Sequence, residues 1–260
     1  MKKYELSHTK EKQEHGFRNL LLVADAHLNG GEKQELFFDF LDRLSRLPGT
    51  CAAGFLGDIF DLWFALPGYE TEDQKRFLAW CEEEMKKRDV FFVEGNHEFF
   101  VNVRRKKYFT RLAPREIRLD DLLLIHGDQI NRLDWQYKLL RLILRNPLTC
   151  FLTWCAALGG IGPALAWKIR HALRNVNLRQ KKRFPEKQIQ AYLKRASRKG
   201  IRQVFAGHFH HAQERERDGC RFTVIDAFAK ESEAALYDAE TRTLEMGFYE
   251  KLIEKLEKMQ

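Results

Sequence analysis

The stretch Leu21-Leu22-Val23-Ala24-Asp25-Ala26-His27-Leu28 decides the reading of this chain: an apolar run of strand character ends in an Asp-x-His pair where a loop should begin. Side chains alternate along a strand, so Asp25 and His27 are expected on one side, where a carboxylate and an imidazole can grip one metal ion. Working outward, four more segments each close an apolar run in the same way. They are Gly57-Asp58-Ile59-Phe60-Asp61, Gly95-Asn96-His97-Glu98, His126-Gly127-Asp128 and Gly207-His208-Phe209-His210. One such segment alone carries little weight. Together they offer carboxylate, amide and imidazole groups without a thiolate, the set that hard divalent ions such as Mn²⁺ prefer. Asp58 ends a central strand and is the natural bridging carboxylate, with two oxygens to share. Two ions roughly 3.5–4 Å apart can activate water and clamp a phosphoryl oxygen for in-line displacement, which predicts hydrolysis of a phosphoester or phosphoanhydride.

The segments between these motifs alternate in period. Strands are expected over 19–24, 51–56 and 90–93, separated by amphipathic helices over 32–47 and 72–88, the first stopped by Pro48-Gly49. Polar residues at strand C-terminal ends in such an alternation indicate an α/β sheet with its site at those ends. Strands 116–119 and 122–125 follow, then a helix over 185–199 and a strand over 201–206. Residues 221–228, 234–237 and 243–248 alternate as antiparallel strands do, and a short exposed helix is expected from Glu250. This organisation gives a polar extension (1–17), a core (18–131 and 200–250), a helical insertion (132–199) and a C-terminal tail (251–260).

The N-terminus is charged and has no apolar core of a leader, so a cytoplasmic protein is expected. Five scattered cysteines without a CxxC fit reduced thiols better than disulfides or zinc. The formal net charge of +8 is unevenly placed: residues 132–199 hold 16 Lys or Arg against Asp134 and Glu186, which leaves −6 for the rest. The insertion is therefore expected to meet an anionic surface or an anionic substrate. His8, His15 and His171 have no motif around them, and His211 should point away from His210.

The set DxH, GDxxD, GNH(D/E), HGD and GHxH resembles the calcineurin-like metallophosphoesterase superfamily. The resemblance implies a four-layer αββα sandwich with a helical lid and two divalent ions, Mn²⁺ by preference. Carried over by residue, it implies one ion held by Asp25, His27, Asp58 and His210, and the other by Asp58, Asn96, His126 and His208. His97 would stabilise the transferring phosphoryl group or protonate the leaving oxygen, with Asp61 orienting it.

Residues 146–167 are 22 consecutive uncharged residues bounded by Arg145 and Lys168, long enough for a membrane span. One span would put His126 and His208 on opposite sides of a bilayer, whereas the site needs both. Gly159-Gly160-Ile161-Gly162-Pro163 divides the stretch, so a helical hairpin that dips into an anionic membrane or cradles acyl chains is expected, against a buried helical subdomain. Within the superfamily, the DAHL, GDIFDLW and HGD segments, followed by Asp134 and Tyr137, resemble the UDP-2,3-diacylglucosamine diphosphatases of lipid A synthesis. That resemblance implies Asp134, Tyr137 and Arg174 on the glucosamine and phosphates, and Phe151, Leu152, Trp154 and Leu158 along an acyl groove. The best-known branch has Arg where this chain has His97 and a longer acid where it has Asp61. Two other readings stand beside it. One is a phosphodiesterase or nuclease, disfavoured because the insertion's uncharged aliphatic centre lacks aromatic and basic interleaving, so no nucleic-acid partner is expected. The other is an inactive membrane scaffold, which predicts missing ligands.

Overall fold

The structure is a computed structural model that describes residues 2–4, 16–66, 68–130, 146, 148–149, 151–152, 155, 168 and 184–259. The described elements begin with β1 (Lys2–Tyr4), β2 (Asn19–Val23), α1 (Glu32–Leu44), β3 (Cys51–Phe55), β4 (Trp63–Phe64), α2 (Glu72–Glu84) and β5 (Val90–Val93). Next come β6 (Glu98–Phe99), α3 (Val101–Arg104), β7 (Arg111–Ala113), β8 (Glu116–Leu119), β9 (Leu122–Ile125), α4 (Glu186–Arg198) and β10 (Gln203–Ala206). Then follow β11 (Gln213–Arg217), β12 (Cys220–Val224), α5 (Phe228–Glu231), β13 (Glu233–Asp238), β14 (Thr243–Phe248) and α6 (Tyr249–Lys258).

Two sheets carry the fold. The larger runs β1-β14-β13-β2-β3-β5-β7 and the smaller β11-β12-β10-β9-β8, with β4 and β6 as a separate pair. Strand parity shows how they stack. In β2, Leu20 and Leu22 join Ala52, Phe91, Leu122, Leu124 and Phe205 in a core between the sheets, while Leu21 and Val23 turn to Phe37, Leu41, Phe77 and Leu252 of the helices outside. On the far side, Leu123, Ile125, Val204 and Phe222 pack against Ile189 and Leu193 of α4. The layers are helix, sheet, sheet, helix, the αββα sandwich that the motifs imply. Burial on both faces is why β5 and β9 are continuous apolar runs, and why β2 and β10 are apolar after Asn19 and Gln203, with no alternation to water.

Register aligns the strand ends that bear the motifs. Parallel pairing sets Val23 beside Phe55 and Phe55 beside Phe92 in one sheet, and Ala206 beside Ile125 in the other. All five motifs therefore leave the sandwich at one edge. α2 starts at a capping box, Thr71 accepting from Gln74 N–H and Gln74 from Thr71 N–H. Behind α2, the buried Arg88 guanidinium donates to Glu84 and to the carbonyls of Cys51, Leu44 and Leu47, tying α1, α2 and β3 together at the end away from the motifs.

Four expectations change. The helix from Tyr249 is not exposed: Tyr249, Leu252, Ile253 and Leu256 recur at helical spacing and are buried against the larger sheet and α1. Lys2–Tyr4 add an edge strand to β14 where a polar extension is expected. The strand β11 is unforeseen because Gln-Glu-Arg-Glu-Arg is polar throughout, as a half-exposed edge strand can be. Its signal was the pair Asp218-Gly219, whose φ values of 51° and 71° suit a two-residue hairpin turn between Arg217 and Cys220. The pair β4 and β6 is likewise too short to show a period.

Candidate metal centre

The candidate ligands come from both sheets. β2, β3 and β5 deliver Asp25, His27, Asp58, Asn96 and His97, and β9 and β10 deliver His126, His208 and His210. Asp25 and His27 do not converge by strand alternation, since β2 ends at Val23. Instead Asp25, His27, Asp58, His208 and His210 all have left-handed backbones, with φ of 51°, 45°, 52°, 70° and 59°. Each non-glycine residue there costs about 1–2 kcal/mol, and such strain persists where the surroundings over-determine it. Here neighbouring loops bond backbone to backbone: Asp25 N–H to Gly57 O at 3.0 Å, His27 N–H to Asp58 O at 3.0 Å, and Leu28 N–H to Ile59 O at 2.9 Å. Gly57, at φ 83°, allows this approach, because a Cβ there would lie 2.5 Å from Gly95 N and 2.8 Å from His126 Nδ1.

Two groups of donor atoms share Asp58. In one, His210 Nε2 lies 3.3 Å from Asp25 Oδ1 and 3.4 Å from His27 Nε2, and His27 Nε2 lies 3.9 Å from both Asp25 Oδ1 and Asp58 Oδ2. In the other, Asn96 Oδ1 lies 3.1 Å from His126 Nε2 and 3.0 Å from His208 Nδ1, with His126 Nε2 3.5 Å from Asp58 Oδ2. For metal–ligand bonds of about 2.1 Å, adjacent ligand atoms sit about 3.0 Å apart in an octahedron and about 3.4 Å apart in a tetrahedron. Five of the separations, 3.0–3.5 Å, lie at or close to this range, and the two from His27 Nε2, 3.9 Å each, are wider. Asp25 Oδ1 is buried and makes no well-aligned hydrogen bond, as an oxygen reserved for a cation would. The residues fit a dinuclear site.

Contacts behind the donors set their orientation and protonation. His126 Nδ1 meets Leu56 O at 2.7 Å, so Nδ1 carries the proton and Nε2 is left for the metal. Asp25 Oδ2 accepts from His208 N–H at 2.6 Å, and Asp58 Oδ1 from His97 N–H at 2.9 Å. Burial pushes the Asp58 carboxyl up, but His97, His126 and His27 around it hold it well below the usual carboxylate range. Burial likewise works against Asp25, which His210 and His126 pull below its ordinary value. Burial drives His27 down to about 4, against Asp58, and drives His208 down to about 3, helped by His126, so both rings are neutral. Burial opposes the charge on His126, yet Asp58, Asp25 and Glu98 raise it to about 9.

His97 is buried beside this cluster, its Nε2 3.8 Å from Asp58 Oδ2. Its Nδ1 meets the main-chain carbonyl of Asp61 at 2.6 Å, so Asp61 reaches His97 through its backbone. That carbonyl requires the proton on Nδ1, so Nε2 donates only when the ring is an imidazolium. The sequence reading gave no role to Glu98. Fully buried, it accepts from Asp58 N–H and Ile59 N–H at 2.8 Å each and from Gly95 N–H at 2.7 Å, locking two ligand loops. The available signal was an acid following His97 in a segment otherwise packed in the core. Phe151 and Leu152 are exposed, 57% each. Asp134, Tyr137, Trp154, Leu158 and Arg174 lie outside the described residues.

An αββα sandwich with paired Asp, Asn and His ligands at one edge defines a metal-dependent phosphoesterase. The chain belongs to the calcineurin-like phosphoesterase family, whose profile matches residues 18–212. A UDP-2,3-diacylglucosamine hydrolase of Psychromonas ingrahamii is 23% identical over 205 residues, 73% of this chain and 80% of that protein. One of Pseudomonas fluorescens is 32% identical over 143 residues, 51% of this chain and 55% of that protein, so the match spans about half its length. Among solved structures, a cold-active protein-tyrosine phosphatase of a Shewanella species is 14% identical with a TM-score of 0.47, covering 90% of this chain and 78% of that one. An archaeal phosphodiesterase is 10% identical with a TM-score of 0.45, covering 88% of this chain and 98% of that one.

Proposed function

We propose that this phosphoesterase cleaves the pyrophosphate of UDP-2,3-diacylglucosamine, yielding UMP and 2,3-diacylglucosamine 1-phosphate. The observation that carries the reading is that one chain joins a phosphate-hydrolysing centre to 22 uncharged residues framed by Arg145 and Lys168, suited to acyl chains. The names of the relatives matched at 23% and 32% identity support it.

Two divalent ions bound at the site, Mn²⁺ by preference, would activate water and polarise the phosphoryl oxygen. Asp25, His27, Asp58 and His210 would hold one, and Asp58, Asn96, His126 and His208 the other. Water adds to the phosphorus of the uridylyl group and the anhydride P–O bond breaks. His97, its Nδ1 fixed on the Asp61 carbonyl, would act through Nε2 on the phosphoryl group or the leaving oxygen. The insertion supplies the remaining recognition: Asp134, Tyr137 and Arg174 for the sugar and phosphates, Phe151, Leu152, Trp154 and Leu158 for the acyl chains. Among the described residues no helix is long and apolar enough to cross a membrane. The proposed place of action is the cytoplasmic face of the inner membrane, with the basic insertion on its anionic surface.

The test is hydrolysis of UDP-2,3-diacylglucosamine by purified protein with Mn²⁺, beside a generic aryl phosphodiester and an Asp58→Ala control. UMP release that the control abolishes is the expected result. Cleavage of the aryl diester without UMP release would move the substrate to another phosphodiester.

A further inference from the structure

Two lysines outside every motif reach the rim of the metal centre on the side of Asp25, His27 and His210. The turn that begins α5 is bonded to the strand end bearing Asp25, Phe228 N–H to Ala24 O at 3.0 Å and Ala229 N–H to Asp25 O at 3.2 Å. Lys230 on this turn extends to the last ligand loop, where Nζ donates to His210 O at 2.7 Å and lies 2.8 Å from His211 Nδ1. Lys33, in the first turn of α1, crosses to the same turn and donates to Ala229 O. Both lysines are exposed. Among the described residues neither ammonium is paired with a carboxylate; each rests on a main-chain carbonyl.

An ammonium has three donors and no acceptor. Lys230 uses one on His210 O and one on the His211 ring, and Lys33 uses one on Ala229 O, so both retain donors for an incoming oxyanion. Cations seated beside a phosphoester centre, without acids of their own, suit a phosphate that does not react. A substrate with one phosphate places it on the metals. A pyrophosphate-linked substrate brings a second, which must lie beside the first.

We infer that Lys230, with Lys33, forms a subsite for the second, non-reacting phosphate of a pyrophosphate-linked substrate. The subsite rests on the diphosphatase reading for its second phosphate, but not on the acyl chains. His211, exposed and turned to Lys230, helps to place that ammonium.

The test is calorimetric binding of UMP and of UDP to the Mn²⁺-loaded full chain, which needs neither turnover nor a lipid. UDP should bind more tightly than UMP. Lys230→Met should weaken UDP about five- to tenfold, as for a charge-assisted hydrogen bond at an exposed rim, and weaken UMP by much less. Lys33→Met with Lys230→Met should bring the two affinities together, and Lys230→Arg should restore the preference for UDP. Equal weakening of UMP and UDP would mean that Lys230 only holds the His210 loop, and would overturn the inference. So would an unchanged UDP affinity, or a wild-type protein that does not prefer UDP. A protein that prefers UDP through Lys230 yet releases no UMP from UDP-2,3-diacylglucosamine would keep the subsite and reject the lipid substrate.

Discussion

Glu98→Ala should unseat Asp58 without touching a ligand. The Glu98 carboxylate is the acceptor for three buried N–H groups, those of Asp58, Ile59 and Gly95. Alanine leaves all three without it. An orphaned buried donor costs about 1–3 kcal/mol, and local relaxation keeps the total below the sum, so a loss of about 3–5 kcal/mol is expected. That is a large part of a typical stability of about 5–15 kcal/mol. Glutamine keeps one oxygen for two donors and turns its NH₂ toward the third, so Glu98→Gln should lose about 1–3 kcal/mol. The same bonds hold Asp58 at φ 52°, a conformation that relaxes once they are gone. Its carboxylate then leaves the line between His126 and His27, and Mn²⁺ affinity should fall about tenfold or more, equivalent to about 1.4 kcal/mol. Urea denaturation in EDTA measures the first effect and titration calorimetry with Mn²⁺ at pH 7.5 the second. A Glu98→Ala protein with wild-type stability and wild-type affinity would refute the reasoning. A stability loss with affinity intact would show that the ligand loops hold themselves.

Three further outcomes follow from the same geometry. Arg88→Ala should cost about 3–5 kcal/mol by urea denaturation, because it removes a buried cation from Glu84 and strips three carbonyls of a donor; a loss under 1 kcal/mol would contradict this. Gly95→Ala places a methyl against Asp58 Oδ1, and 2.5 Å from Asp58 N, so aryl phosphodiester hydrolysis should drop by about a hundredfold, as a misplaced catalytic group can cause, while the fold melts as one unit. Since His126 is raised to about 9, its ring is protonated at pH 7.5 without metal and must lose that proton to ligate. Metal uptake should therefore release about one proton at pH 7.5 and fewer as pH rises through 9, read by calorimetry in buffers of different ionisation enthalpy; release that does not change between pH 7 and 10 would count against it.

The sequence by itself determined the candidate ligand types, their order and the strands that end in them, because a strand buried on both faces is largely apolar and a polar residue at its end then stands out. β5 and β9 can be read this way to the residue, β8 and β14 by their polar–apolar alternation, and Asp25, His27, Asp58, Asn96, His126, His208 and His210 could be named as candidate ligands from the sequence. Tertiary structure alone decided how these groups converge. Asp25 and His27 meet the others through left-handed turns held by the neighbouring loop, and left-handed φ at Asp or His leaves no mark in a sequence. Parallel register between separate strands brings His126 beside His208, and that pairing depends on residues about 80 positions apart. Polar contacts to main-chain atoms were equally hidden: the Asp61 carbonyl under His97, the three N–H groups on Glu98 and the carbonyls under Lys33 and Lys230. A main-chain donor or acceptor is present at almost every position, so only the folded chain shows which one a side chain meets.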